Sequence, residues 1–362
     1  MRAAAARLLV LLAGALAVST LFVAGAGPAS AHVGGEVAGS DFDGRVTGVT
    51  PSVPGVRVQV RAFGDQLEVL NSSGAEVEVP GYSGEPYLRI GPDGVWRNAN
   101  SPATYLNLDR YGRAHIPASA SSTATPDWVR VSSTSSYSWH DHRTHWMSEG
   151  QLPTVVAADP SVAHVVSRWT VPMSYQDGPD ATTFAVTGEL TWAPPPAPWL
   201  VWPVHLLIAG AAFAAGLRAR DTRPLAVFMA VGGVAALTHA LATAAPAVTA
   251  GSRAGAIVAA LLPALTAVLV AVVGVRAAVR GRGRMGGLCA VVLGWLLLVQ
   301  GLPDVDALWS AHVLTAGPQW LGRITVGLLL AIGAGLVPGG IVAVRRFRER
   351  EDVVPAEAPS LV

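Results

Sequence analysis

Five apolar runs occupy the second half of the chain, near Trp199–Leu217, Pro224–Ala245, Ala254–Val275, Met285–Gly301 and Ile324–Val344. Each is close to the roughly 20 residues that cross the hydrocarbon core of a bilayer. Backbone polar groups in hydrocarbon must be satisfied within the chain, and runs of this length do so as helices. Of the 362 residues, 51% are hydrophobic and 14% charged, against about 25% charged in soluble domains. Every basic residue is arginine. The segments Arg218–Arg223, Arg276–Arg284 and Arg345–Arg350 are arginine-rich, whereas the alternate connections hold only Arg253 and Arg323. The rich segments are expected on the cytoplasmic side. That places the N-terminal half outside and the tail, residues 345–362, inside.

Residues 1–31 read as a signal peptide. Arg2 and Arg7 give a positive start, Leu8 to about Ala26 is apolar, and Ala29-Ser30-Ala31 has the small residues of a cleavage site. Ala24-Gly25-Ala26 is a second possible site, and an uncleaved anchor is the competing reading. Cleavage after Ala31 makes His32 the mature N-terminus. Export and the arginine pattern lead independently to one topology.

Residues 32–193 have another character, with most of the acidic residues and many Gly, Pro, Ser and Thr. Short alternating runs such as Val56–Val60, Gln66–Leu70, Glu76–Val79 and Tyr87–Ile90 mark half-buried strands. Asn71-Ser72-Ser73-Gly74 and Gly91-Pro92-Asp93-Gly94 supply turns. Trp128–Ser132, His164–Val171 and Thr182–Trp192 are further strand candidates. The expected fold is an extracytoplasmic all-β sandwich of immunoglobulin-like type, followed by an all-α transmembrane bundle of about five helices. Pro117–Pro126 is a seam at which the domain divides if it is two small sandwiches. Residues 194–198 read as a stiff proline-rich linker, and residues 199–344 as the bundle. The single cysteine, Cys289, excludes a disulfide framework.

One segment concentrates chemistry: Tyr137-Ser138-Trp139-His140-Asp141-His142-Arg143-Thr144-His145-Trp146-Met147. Three of the chain's nine histidines fall within six residues. On a strand, His140 and His142 share a face, and a turn or bulge would return His145 to it. Asp141 and Arg143 would face the other way. Neutral imidazole binds zinc, copper, nickel and iron. Mature His32 would add an α-amine of pKa about 7.7–8.0 together with its ring nitrogen. With a distal histidine these form a histidine brace suited to copper(II), which accepts tetragonal nitrogen sites. Met147 and Met173 are soft donors for copper(I), and His115 and His164 are weaker candidates. The candidate metal set is therefore His140, His142, His145 and His32, for copper, with zinc as the alternative. Competing readings are a hydrogen-bonded structural cluster and acid–base catalysis.

The domain also resembles a group of actinobacterial membrane proteins of uncharacterised function. The residues that carry the resemblance are Gly81-Tyr82-Ser83-Gly84-Glu85-Pro86-Tyr87-Leu88, Ser101-Pro102-Ala103-Thr104-Tyr105-Leu106-Asn107, and Trp139-His140-Asp141-His142-Arg143 with His145-Trp146-Met147. The match spans most of residues 40–195. It implies an exported domain tied to a helical membrane region and no established activity.

His205, His239, Gln300, Asp304, Asp306 and His312 lie in or beside the apolar runs, toward the outer side of the expected topology. They read either as a shared outward-facing polar pocket or as interfacial residues with water access, alongside the belt aromatics Trp309 and Trp320. No acidic residue sits mid-span. The net charge of +1 gives no reason to expect nucleic acid, and without lysine there is no phosphate-binding loop for a nucleotide. No Gly-x-Ser-x-Gly elbow marks a serine hydrolase. Expected partners are membrane lipid, a metal ion, and a cell-envelope or metal-trafficking protein. The leading function is a membrane-anchored metal-binding protein for copper acquisition, delivery or tolerance. The rivals are an envelope interaction protein with structural histidines and an oxidative copper enzyme.

Overall fold

The computed structural model describes residues 39–176, 181–218, 222–242 and 253–351. Residues 1–31, read above as a signal peptide, and His32 lie outside the described residues, as does most of the C-terminal tail. Residues 40–195 form one compact unit and the helices form another.

The N-terminal unit holds ten principal strands: β1 (Phe42–Thr50), β2 (Val56–Arg61), β3 (Gln66–Asn71), β4 (Glu76–Pro80), β5 (Pro86–Gly91), β6 (Gly94–Asn98), β7 (Trp128–Ser132), β8 (Ser136–His140), β9 (His164–Gln176) and β10 (Ala181–Trp192). They make a seven-stranded sheet, β1-β10-β9-β4-β5-β6-β7, and a three-stranded sheet, β2-β3-β8. All pairings are antiparallel. The alternation in the sequence is the burial pattern: Val77 and Val79 are buried while Glu76 and Glu78 are not. One apolar core takes Val58, Leu67, Val69 and Trp139 from the small sheet and Val77, Leu88, Ile90, Val171 and Val186 from the large one. Residues 117–126 run between a short helix and β7, and strands from either side of them pair in both sheets. The unit also holds two one-turn helices, α1 (Pro102–Leu106) and α2 (Thr154–Ala158), which the sequence reading did not anticipate. Each is too short to show helical periodicity.

The second unit contains α3 (Pro198–Leu217), α4 (Arg223–Ala242), α5 (Arg253–Val279), α6 (Gly283–Gly301) and α7 (Gln319–Glu351). Among the described residues, five helices are long and apolar enough to cross a membrane, in the places the apolar runs indicated. The α5–α6 turn is a Schellman motif. Arg282 N donates to Ala277 O at 2.9 Å, Gly281 N to Ala278 O at 3.2 Å, and Gly281 takes the left-handed conformation, φ 71°, that closes such a turn. This gathers Arg280, Arg282 and Arg284 at one end of the bundle. Thr222 donates to Ala278 O at 2.7 Å and Arg346 to the Leu217 carbonyl, so the three arginine-rich segments share that end. The opposite end carries Trp202 stacked on Trp309 at 6.2 Å, with Trp199 and Trp320 exposed. There His239 Nε2 meets Asp304 Oδ2 at 2.9 Å, tying α4 to the 3-10 turn that follows α6.

Helix packing relies on small residues. A Cβ on Gly216 would overlap the Gly339 carbonyl, and one on Gly335 the Ala209 carbonyl, so α3 and α7 touch backbone to backbone. Gly287 and Gly294 of α6 approach Gly340 and Gly333 of α7 in the same way. Such contacts substitute for the hydrophobic driving force that lipid does not supply.

Candidate functional site

β8 ends at His140. Strand alternation therefore does not carry through to His142, and the shared face expected for these two histidines is not formed. From Asp141 onward the chain turns, and Thr144 N donates to Asp141 O at 3.0 Å. The fully buried Asp141 carboxylate organises the turn. It accepts from Arg143 Nε at 2.8 Å, Arg143 Nη2 at 2.7 Å, Arg143 N at 3.1 Å and Trp139 Nε1 at 3.0 Å. Asp141 and Arg143 thus pair with each other.

The histidines separate into two environments. His140 Nδ1 lies 3.1 Å from Asp65 Oδ2 and 3.2 Å from the Asp65 carbonyl. Both are acceptors, so Nδ1 carries the proton. The Asp65 hydrogen bond and charge raise the His140 pKa above the ordinary imidazole value despite burial. Burial pushes the Asp65 carboxyl up, but His140 and Arg110 together pull it below the usual value. Arg110 Nη1 bonds Asp65 Oδ1 at 2.7 Å. Asp65 follows a left-handed stretch, with φ of 49° at Ala62, 60° at Phe63 and 111° at Gly64. For two non-glycine residues this costs about 1–3 kcal/mol each. Thr144 Oγ1 bonds Gly64 O at 2.6 Å and holds the stretch against the turn.

His142 and His145 come together edge to face, ring centroids 5.5 Å apart. His142 Nε2 lies 3.1 Å from Asp109 O, and His145 Nε2 lies 2.7 Å from Arg110 O. A carbonyl only accepts, so both Nε2 atoms carry protons, and the neutral form of either ring has its lone pair on Nδ1. The Nδ1 of His145 is buried without a hydrogen-bond partner. Burial lowers the His145 pKa, outweighing the Arg110 carbonyl and the Asp65 charge, and favours the neutral ring. The two carbonyls are presented by a loop wound on Asp109, whose carboxylate accepts from Tyr111 N at 2.8 Å, Arg113 N at 2.9 Å and Ala114 N at 3.0 Å.

Tyr82 joins this loop to the turn. Its hydroxyl accepts from His142 N at 3.0 Å and bonds Asn107 Oδ1. Its ring stacks on His142 at 5.8 Å, and the Arg143 guanidinium sits 5.1 Å over it. Burial raises the Tyr82 pKa and keeps the phenol protonated. Asn107 caps α1, whose start is equally specified: Ser101 Oγ accepts from Ala103 N at 3.2 Å, and Pro102 occupies the first turn. Ser101 Oγ also donates to the buried Glu85 at 2.9 Å. All three segments behind the sequence resemblance therefore meet here. Asp65, Tyr82, Asn107, Asp109 and Arg110 were not singled out as site residues. Tyr82 and Asn107 lie within the segments that carry the sequence resemblance, and that is the signal for them.

Met173 is buried in the sheet core, and Met147 is half-buried. His164 bonds the Asp159 carbonyl at 2.6 Å, and His115 is exposed. Among the described residues, no three His, Cys, Asp or Glu side chains converge in a group able to hold a metal ion. In comparisons with known proteins, no family model, curated protein or solved structure matches this chain.

Proposed function

We propose that this is a membrane-anchored extracytoplasmic metal-binding protein, with His142 and His145 as the paired ligands of a copper ion. One observation carries the reading: two adjacent imidazoles have their Nε2–H groups fixed by consecutive carbonyls, leaving both Nδ1 lone pairs for a ligand. Metal-bound histidines are oriented by such hydrogen bonds to the distal ring nitrogen. Two imidazoles that share one ion at about 2.0–2.1 Å have centroids about 5–6 Å apart, and these stand 5.5 Å apart. Two nitrogens leave a copper(II) site incomplete. In this reading the α-amine and ring of mature His32 supply the remaining donors, and His140 stays with Asp65 as a supporting residue. Export by the signal peptide places the domain outside and the arginine-rich end of the bundle inside. The two sheets around one core support a sandwich of immunoglobulin-like type.

The test is a copper(II) titration of the full chain in lipid nanodiscs, followed by EPR. One equivalent with nitrogen hyperfine structure is expected, lost in His142→Ala and in His145→Ala. Uptake no greater than in the double variant would refute the site.

A second reading, an envelope interaction protein with structural histidines, is favoured by the absence of a three-ligand group among the described residues. It requires the histidine variants to lower stability equally with and without copper.

A further inference from the structure

Residues 152–165, Leu-Pro-Thr-Val-Val-Ala-Ala-Asp-Pro-Ser-Val-Ala-His-Val, contain a single formal charge, Asp159. The segment wraps α2 against the start of β9. Only Val156 and Pro153 are buried there. Leu152 is 50% exposed, Val155 43%, Val162 46% and Val165 45%. Four large apolar side chains thus face water within fourteen residues, and an apolar partner that covers them would remove that surface from water.

The sheet register says where this edge lies along the chain. His164, the first residue of β9, pairs with Trp192, the last of β10, and Val165 pairs with Thr191. The His164 ring also contacts Trp192 at 6.3 Å. The apolar segment is therefore at the end of the hairpin from which the chain leaves for α3. Trp192 and Pro198 are six residues apart, and the intervening sequence is Ala-Pro-Pro-Pro-Ala. A polyproline-type linker advances about 3.1 Å per residue, so the six steps from Trp192 to Pro198 reach at most about 19 Å. That residue is followed by the exposed Trp199 and Trp202, aromatics of the type that settle at the membrane–water boundary. The constraint is covalent and holds on whichever side of the membrane the domain resides.

We propose that the edge formed by Leu152, Val155, Val162 and Val165 docks on the bilayer that holds this chain's own helices, with its apolar side chains at the headgroup–hydrocarbon boundary. The absence of arginine from the segment makes the attraction apolar rather than electrostatic, so it is independent of anionic lipid. The far end of the hairpin differs as expected of a water-facing tip: Ala181, Thr182 and Thr183 are exposed there. Thr182 and Trp192 are ten residues apart on one strand, about 33 Å.

The test uses the full chain in phosphatidylcholine nanodiscs, with Cys289→Ser removing the native thiol. Nitroxide labels are placed at Val155→Cys, at Val162→Cys and, as control, at Thr182→Cys. Collision with oxygen, which partitions into lipid, is compared with collision with a water-soluble nickel chelate. The proposal expects the 155 and 162 labels to favour oxygen at least several-fold more than the 182 label, and equally so when anionic lipid is added. Nickel accessibility at 155 and 162 equal to that at 182 would overturn it. So would dipolar broadening between labels on two chains, which would assign the edge to self-association. All three variants change exposed residues, and protease resistance of the domain reports that each is folded.

Discussion

Asp141→Ala is the sharpest perturbation of the site. It removes a fully buried carboxylate that accepts four hydrogen bonds, three from Arg143 and one from the Trp139 indole. The Arg143 side chain is only 20% exposed and would be left without a counter-charge. Removing one partner of a buried ion pair costs about 3–5 kcal/mol, because the surviving charge remains desolvated. The exposed part of Arg143 and its position over Tyr82 argue for the lower end of that range. Against a typical domain stability of about 5–15 kcal/mol this is a large fraction. With a urea dependence of about 2 kcal/mol per molar, the midpoint should fall by about 1.5–2 M. Pulse proteolysis of the full chain in nanodiscs reads the unfolded fraction of the N-terminal domain while the helices stay in lipid. Arg143→Met in the same background should recover part of the loss, because the orphaned charge is then gone. A midpoint shift below about 0.3 M, or a double variant whose loss equals the sum of the singles, would refute the assignment of Asp141 and Arg143 as a coupled buried pair.

The two histidine environments predict opposite pH dependences. His140, raised in the folded state, contributes stability that is complete below the ordinary imidazole pKa of 6.5 and is lost as pH rises through its folded value. His145, lowered in the folded state, costs stability as pH falls from 6.5 through its folded value. Domain stability should therefore peak near pH 6.5, with His140→Gln flattening the alkaline side and His145→Gln the acid side; a monotonic profile from pH 5 to 8 would contradict this. Tyr82→Phe removes the acceptor of the His142 N–H and should cost about 1–3 kcal/mol. Hydrogen exchange at His142 should accelerate in that variant while exchange in β9 is unchanged. In the membrane unit, Gly216→Leu forces α3 from α7 and should destabilise the detergent-solubilised chain by about 1–3 kcal/mol, as overpacking does. Gly210→Leu, on the same helix but facing open space, should not.

Much of this architecture could be read from residue order because its signals are local. The apolar runs are as long as a bilayer is thick, and alternation such as Glu76-Val77-Glu78-Val79 exposes and buries side chains as written. The histidine segment stood out by density alone. What sequence could not supply was the end of β8. Nothing in Trp139-His140-Asp141-His142 marks the strand's stop at His140, since the stop comes from Asp141 turning inward to meet Arg143 and the Trp139 indole. Nor did spacing reveal that Asp65 would claim His140, 75 residues away, or that a loop wound on Asp109 would fix the other two rings. These are long-range pairings decided by the packing of the two sheets. His239 and Asp304 were visible as costly residues near membrane spans, but their pairing also needed the folded bundle.

The glycine contacts of α7 bear on electrical tightness. At Gly216 and Gly335 on one flank, and at Gly287 and Gly294 on the other, backbone meets backbone with no space for a side chain. A hydrated ion is wider than the methyl group already excluded at those levels. Conduction along either flank of the last helix would require the helix to move away first. The flanks of α7 are therefore closed in this packing, and these glycines are positions where even a small gain of volume would push its neighbours away.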